Sequence, residues 1–364
     1  MTFESQKVVW SLDMLAISEW ESKRITSLRF LLIIFVVFIH NIDKNEAINY
    51  YHLVFEEPVA ITWFKTFVMG ILGGAAVPIF FVFAAYLQFA KQDDYKSLIK
   101  KRTKSLLIPY ILWTLLTVLF YFIAQSIPQT ASFFQNKKNI VRDWGWIEWV
   151  NIFWKHINTH PLAMQLWFVR NLIILVIFSP ILKYLAKTFP FLMLIAITFF
   201  YFYGLPLEFG KSIFFYMLGW YCPEYKISFF KLSDKVGWLE YTILLISILI
   251  VYIKFPSATI LIKAGIIISC LFFFKLSGLI IKNDKLFNIT NFLSVYSFFL
   301  YAIHEPFLMM TLVKISVKII PLHGAWCLVQ FLVPSMICVI VGTVIGIALK
   351  KYCSPVFRIL NGSR

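Results

Sequence analysis

Two histidines, two arginines and a glutamate stand inside apolar runs of this sequence, where an ionisable side chain at mid-bilayer costs about 2.5 kcal/mol or more. Arg29 and His40 share one run, eleven residues apart (40 − 29). Eleven helical steps of about 100° return to within about 20° of the start, at a rise of about 1.5 Å each, so the two share a face about 16 Å apart. Arg170 sits in Leu166-Trp167-Phe168-Val169-Arg170-Asn171. His304 and Glu305 sit in Phe298-Phe299-Leu300-Tyr301-Ala302-Ile303-His304-Glu305-Pro306. Counted from their segment ends, His40, His304 and Arg170 reach a similar depth, roughly 15–20 Å at 1.5 Å per residue. An imidazole, with an ordinary pKa of about 6.5, suits proton transfer, and a guanidinium suits a developing oxyanion or a phosphate. Pro306 has no N–H to donate, so it kinks its helix and leaves a carbonyl open. Each residue also has a structural reading: packed, hydrogen-bonded histidines and a buried Arg170–Glu305 bridge.

A second cluster is Lys100-Lys101-Arg102-Thr103-Lys104. It reads either as a cytoplasmic topology signal or as a phosphate site at a membrane mouth, with Arg102 giving bidentate contacts beside Lys101 and Lys104.

These groups require a bilayer-spanning frame, and the composition supplies one. The chain of 364 residues is 60% hydrophobic and only 14% charged, against about 45–50% and about 25% in soluble domains. The fold class is all-α, a polytopic membrane protein of about ten transmembrane helices, expected near 28–46, 68–90, 106–126, 164–182, 189–204, 209–222, 239–253, 258–281, 290–313 and 327–349. Residues 189–222 could instead form one re-entrant unit around Gly204-Leu205-Pro206. Residues 1–27 form a cytoplasmic segment with no signal-peptide core, 28–349 the membrane domain, and 350–364 a cytoplasmic tail.

Net charge is +16. Basic loops, including Lys23, Arg24, Lys183, Lys187, Lys350 and Lys351, explain it by the positive-inside rule and orient both termini inward. Nucleic acid is not needed as a partner; membrane lipid is. Five cysteines show no paired or metal-ligand spacing, so neither a disulfide framework nor a metal is expected. The outer loop 127–163 carries Trp144, Trp146, Trp149 and Trp154. It reads as an interfacial anchor or as a lid for an acceptor.

Five segments, in order, resemble the integral-membrane acyltransferase 3 family. They are Arg29-x10-His40, Val77-Pro78-Ile79-Phe80-Phe81-Val82-Phe83-Ala84-Ala85-Tyr86-Leu87, Lys101-Arg102-x-Lys104-Ser105-Leu106-Leu107-Ile108-Pro109-Tyr110, and the Trp167 and His304 segments above. Ala84-Ala85 stand where the family commonly has Ser-Gly, Ser105 where many members have a second arginine, and Asn171 where Asp is common. The resemblance implies transfer of an acyl group, usually acetyl, from acyl-coenzyme A to a hydroxyl of a cell-surface or exported carbohydrate. It implies a multi-pass protein of the cell membrane, the bacterial inner membrane in particular. On this reading His40 is the base or an acyl-carrying nucleophile. Arg29, Lys101, Arg102 and Lys104 hold the coenzyme phosphates. Arg170 supports the oxyanion or the acceptor, and His304 and Glu305 orient or charge-balance the site. Rival readings are a transporter or flippase for a glycan precursor, whose charges also gather at mid-membrane, and a non-catalytic membrane scaffold.

Overall fold

The computed structural model describes residues 17–42, 56–91, 94–134, 140–156, 159–205 and 208–363. Among these residues the structure is helical, apart from one isolated bridge between Glu56 and His323. The first sixteen residues, and residues 43–55, which include the end of the first expected span, lie outside the described residues.

The principal helices are α1 (Glu19–Ile39), α2 (Val59–Phe89), α3 (Tyr95–Ser126), α4 (Trp167–Ile177), α5 (Ser179–Thr188), α6 (Pro190–Tyr203), α7 (Phe209–Glu224), α8 (Trp238–Lys254), α9 (Thr259–Lys282), α10 (Asp284–Ser294), α11 (Ser297–Ile319) and α12 (Trp326–Tyr352). Five of them, α2, α3, α9, α11 and α12, are long and apolar enough to cross a membrane, and α4 with α5 add a sixth if that pair, bent by 62°, is one span. Helices α1 and α10 begin where a short polar side chain satisfies a first-turn N–H group. Ser18 accepts from Glu21 N at 3.2 Å and Asn283 from Leu286 N at 3.0 Å.

Helix α1 starts well before residue 28, and Arg24 explains why. The sequence pattern marks Arg24 as a loop cation, yet it is buried at 0% exposure. Its guanidinium meets Asp234 at 2.6 and 2.9 Å, Ser277 Oγ at 2.8 Å and the Phe274 carbonyl. Trp20 and Phe230 stack on it, with ring centroids 4.6 and 4.7 Å from Cζ. The fork therefore ties α1 to α9 and to the short helix Phe229–Asp234. Gly278 supplies the room, because a Cβ there would lie 3.1 Å from Arg24 Nη2.

The Ala84-Ala85 departure is absorbed from the opposite side. Gly219 of α7 packs so close to α2 that a Cβ would meet the Val82 carbonyl oxygen at 2.4 Å and Ala85 Cβ at 2.9 Å. Close backbone approach is kept, with the glycine on the partner helix. Widened π-type turns interrupt α2 at Thr66–Gly73, α3 at Thr103–Leu107 and α11 at His304–Leu308. Such turns gather at functional sites, and the last two coincide with the basic run and the second histidine.

After α12, the short helix Ser354–Leu360 folds back on the bundle. Phe357 and Asn361 are buried. Asn361 Nδ2 donates to Val295 O at 3.0 Å, and Leu360 O accepts from Trp113 Nε1 at 3.0 Å. Gly362 has φ +74°, and a Cβ there would lie 2.4 Å from Ser105 O, so only glycine fits.

Arg24→Met should destabilise the protein by about 1.5–3 kcal/mol, the range for hydrogen bonds to a charged group; the partner Asp234 is 43% exposed, which keeps the cost from being larger. The expected drop in thermal midpoint is about 5 °C or more, read by fluorescence-detected size exclusion in detergent. Arg24→Lys should recover only part of it, because an ammonium lacks the planar fork.

Candidate active site

Helix α1 ends in a tight turn, His40–Ile42, which turns His40 inward from the helix terminus. Asn41, buried beside it, fixes that turn to α12 through Phe331 O at 2.7 Å and Ser335 Oγ at 2.8 Å. Helix α11 delivers His304 from the other side, where its regular course breaks at Glu305 (φ −132°, ψ 135°). Gln165, just before α4, braces the break by donating to Ala302 O at 3.0 Å and to Glu305 O, while the Tyr301 hydroxyl donates to Gln165 O.

The two imidazoles meet. Their ring centroids are 4.7 Å apart at 76°, and His304 Nε2 lies 3.3 Å from His40 Nδ1. His304 Nδ1 lies 2.7 Å from Tyr301 O, a pure acceptor, so it carries the proton and donates. A neutral His304 then has its lone pair on Nε2 and accepts from His40 Nδ1–H, which also faces Val36 O at 2.8 Å. The lone pair of His40 is thereby assigned to Nε2. Two backbone carbonyls thus set the tautomers of both rings.

Arg29 lies between α1 and its neighbours, largely enclosed yet retaining accessible surface. Among the described residues it has no hydrogen-bond or ion-pair partner. A guanidinium held this way inside an apolar bundle is costly and fits an anion that arrives with a ligand. In the basic run, Lys101 and Lys104 are exposed whereas Arg102 is half-buried and turned toward α7.

Arg170 lies apart from the imidazole pair and holds the outer loop. It donates to Trp154 O at 2.5 Å, Thr159 O at 2.9 Å and Asn171 Oδ1 at 3.1 Å, with the Trp154 ring centroid 5.6 Å away. Asn171 therefore keeps the partnership that an aspartate would offer, and its own amide donates to Ser212 Oγ at 2.9 Å. The Tyr110 hydroxyl also clasps this loop at Phe153 O. Trp146, at 77% exposure, and Trp149 face outward, while Ile152, Leu162 and Ala163 are buried. The loop is thus both interface-facing and docked. Glu305 is buried beside His304.

Sequence reasoning brought His40, His304 and Arg170 together by depth; the structure pairs the two histidines and engages Arg170 with the outer loop instead. Sequence reasoning missed Gln165, which directly precedes the Leu166 motif, and Tyr301, which stands within the His304 motif; neither carries a charge to draw attention. It also missed His160, half-buried on the docked loop with its ring 6.3 Å from Trp167 and Nδ1 3.3 Å from Thr159 Oγ1. A histidine in a loop gives no depth signal.

Fold and site together define a helical protein with several apolar membrane-span candidates and a close pair of imidazoles, His304 buried and His40 half-buried. The model of the acyltransferase 3 family, described as an acyltransferase domain, matches residues 22–350, and the chain belongs to that family. It is 23% identical over 182 residues to the succinoglycan biosynthesis protein ExoH of Rhizobium meliloti (strain 1021), a match covering 48% of this chain and 46% of that relative. No solved structure matches the chain.

Two outcomes follow for the loop. Arg170→Ala should raise amide exchange across 152–156 and 159–163 by about tenfold or more, since the loop loses charge-assisted bonds of about 1.5–3 kcal/mol each. The second concerns acid. Burial holds the His160 imidazole below its ordinary range; Glu208 opposes this, and Arg170, Lys211 and His40 reinforce it. A released loop then binds more protons than a docked one once pH falls below about 6.5. Docking should be fully present above that value and weaken below it, seen as faster exchange at pH 5.5 than at 7.5 after correction for intrinsic rates.

Proposed function

We propose that this chain is a membrane-embedded O-acyltransferase that moves an acyl group, acetyl in the first instance, from acyl-coenzyme A to a hydroxyl of a cell-surface or exported carbohydrate. In this reading the ten apolar segments make ten spans with both ends cytoplasmic, in the cell membrane of a bacterium. The positive-inside bias supports that topology. The donor enters at the basic end and the acceptor from the opposite face. Membership of the acyltransferase family supports the reaction class. The name of the relative, a succinoglycan biosynthesis protein, supports a polysaccharide acceptor.

The observation that carries the reading is the carbonyl–His304–His40 chain. His40 Nε2, the lone-pair atom, takes the proton of the acceptor hydroxyl as that oxygen attacks the thioester carbonyl. A carbon–oxygen bond forms, the carbon–sulfur bond breaks, and the thiolate leaves with the proton that His40 returns. His304 shares the positive charge through its Nε2, and Glu305 beside it balances that charge. Arg29, on the same face of α1 and nearer the basic end, holds coenzyme phosphate together with Lys101, Arg102 and Lys104. Arg170 acts at one remove, by holding the loop that borders the acceptor's approach.

His40→Ala should lower transfer by about 10²–10⁴-fold, the contribution of a positioned base, with membrane abundance unchanged. His304→Leu, which removes the acceptor for His40 Nδ1–H, should also lower turnover, and His304→Gln should recover part of it through its amide oxygen. The measurement is acylation of the surface polysaccharide by cells carrying each variant. Wild-type turnover by His40→Ala would overturn the reading. Coenzyme A binding to the purified protein separates an acyltransferase from a glycan transporter.

A further inference from the structure

Three polar atoms are buried without a partner near the basic end. Gln88, at 6% exposure in the last turn of α2, has both its amide oxygen and its amide nitrogen unsatisfied. Tyr216, at 0% exposure on α7, has an unsatisfied hydroxyl. The Gln88 and Ser179 side chains lie beside that hydroxyl without closing a hydrogen bond to it. Ser179 is already committed to Val176 O at 2.8 Å, at the bend between α4 and α5. The Arg102 guanidinium is within electrostatic reach of Tyr216.

Each such orphan costs about 1–3 kcal/mol, and native interiors keep few of them, commonly for a functional reason. The surroundings do not relieve the cost. Phe89 and Trp220 wall the site with rings, Phe89 packing 5.9 Å from Tyr216. Gly219, one turn from Tyr216, packs against the Val82 carbonyl, so α2 and α7 run close together here. Two donors and one acceptor are therefore presented together near the Arg102 cation.

We propose that Gln88 and Tyr216 bind the nucleotide head of the acyl donor. This rests on the acyl-coenzyme A reading above. Gln88 Nε2 and the Tyr216 hydroxyl donate to phosphate oxygens that Arg102 attracts, and Gln88 Oε1 accepts from a ribose hydroxyl or the adenine amine. Position selects the nucleotide over the acyl end. Tyr86, half a turn before Gln88, lies beside Glu21 at the start of α1, so this cluster is at the opposite end of α1 from His40. A long flexible donor that reaches His40 with its thioester leaves its phosphates at this end.

The test compares coenzyme A, adenosine 3′,5′-bisphosphate and pantetheine as probes, by calorimetry on the full-length protein in nanodiscs. Gln88→Met and Tyr216→Phe should each weaken coenzyme A and the bisphosphate about tenfold, and leave pantetheine unchanged. Both variants should keep or raise the thermal midpoint, because they remove orphaned polar atoms. Unchanged coenzyme A affinity in both variants, with wild type binding, would overturn the assignment and leave the donor reading intact. So would equal weakening of coenzyme A and pantetheine. Failure of wild type to bind coenzyme A would sink the donor reading itself. Should Gln88→Met not fold, Tyr216→Phe, which deletes a single oxygen, decides alone.

Discussion

The hydrogen bond between His304 and His40 is the contact on which the rest of this structure turns. Inside a bilayer no water corrects a wrong tautomer or a misaimed ring, so the protein must set both. It does so with backbone carbonyls, which cannot titrate and cannot rotate away. Tyr301 O holds one ring and Val36 O the other. The irregular backbone at Glu305 is tolerated because Gln165 occupies the carbonyls exposed by the break. The pair thus depends on three helices and one amide, and each of these is itself anchored.

At the far end of α1 the electrostatics are inverted. Arg24 is buried and fully compensated by Asp234, Ser277 and a peptide oxygen. Arg29, just beyond it along the same helix, has no such compensation among the described residues. One arginine is therefore paired inside the bundle and its neighbour is not. Which is which follows from partners on other helices, not from the residue type. The orphaned amide and phenol near Arg102 extend the same asymmetry: this end of the bundle carries more hydrogen-bonding capacity than it uses.

The helical character, the apolar segments and the meeting of two histidines were legible because they depend on local periodicity and on counting residues from a helix end. Arg29 and His40 share a face by arithmetic alone. Length was less legible: α6, α7 and α8 are short for a bilayer, and among the described residues five helices, or six with the bent pair, satisfy length and hydropathy together. In the sequence Arg24 reads as a topological charge, because a buried cation and a loop cation look alike until Asp234, 210 residues away, is in place. The Ala84-Ala85 substitution was opaque for the same reason, as its compensating glycine lies on α7. Gln88 and Tyr216 carry no signal at all in one dimension; only their missing partners mark them.

The stretch following α12 gives a last consequence. It is a wedge, with Asn361 and Gly362 seated against α3 and the approach to α11. Ser105, which Gly362 touches, directly follows Lys104. Cutting the chain after Lys351 would therefore strip a supporting wall from the basic end of α3 and expose the indole of Trp113 and the ring of Phe299. The short helix Ser354–Leu360 braces the widened turn Thr103–Leu107, and losing it would loosen that end of the bundle before it touched the imidazoles.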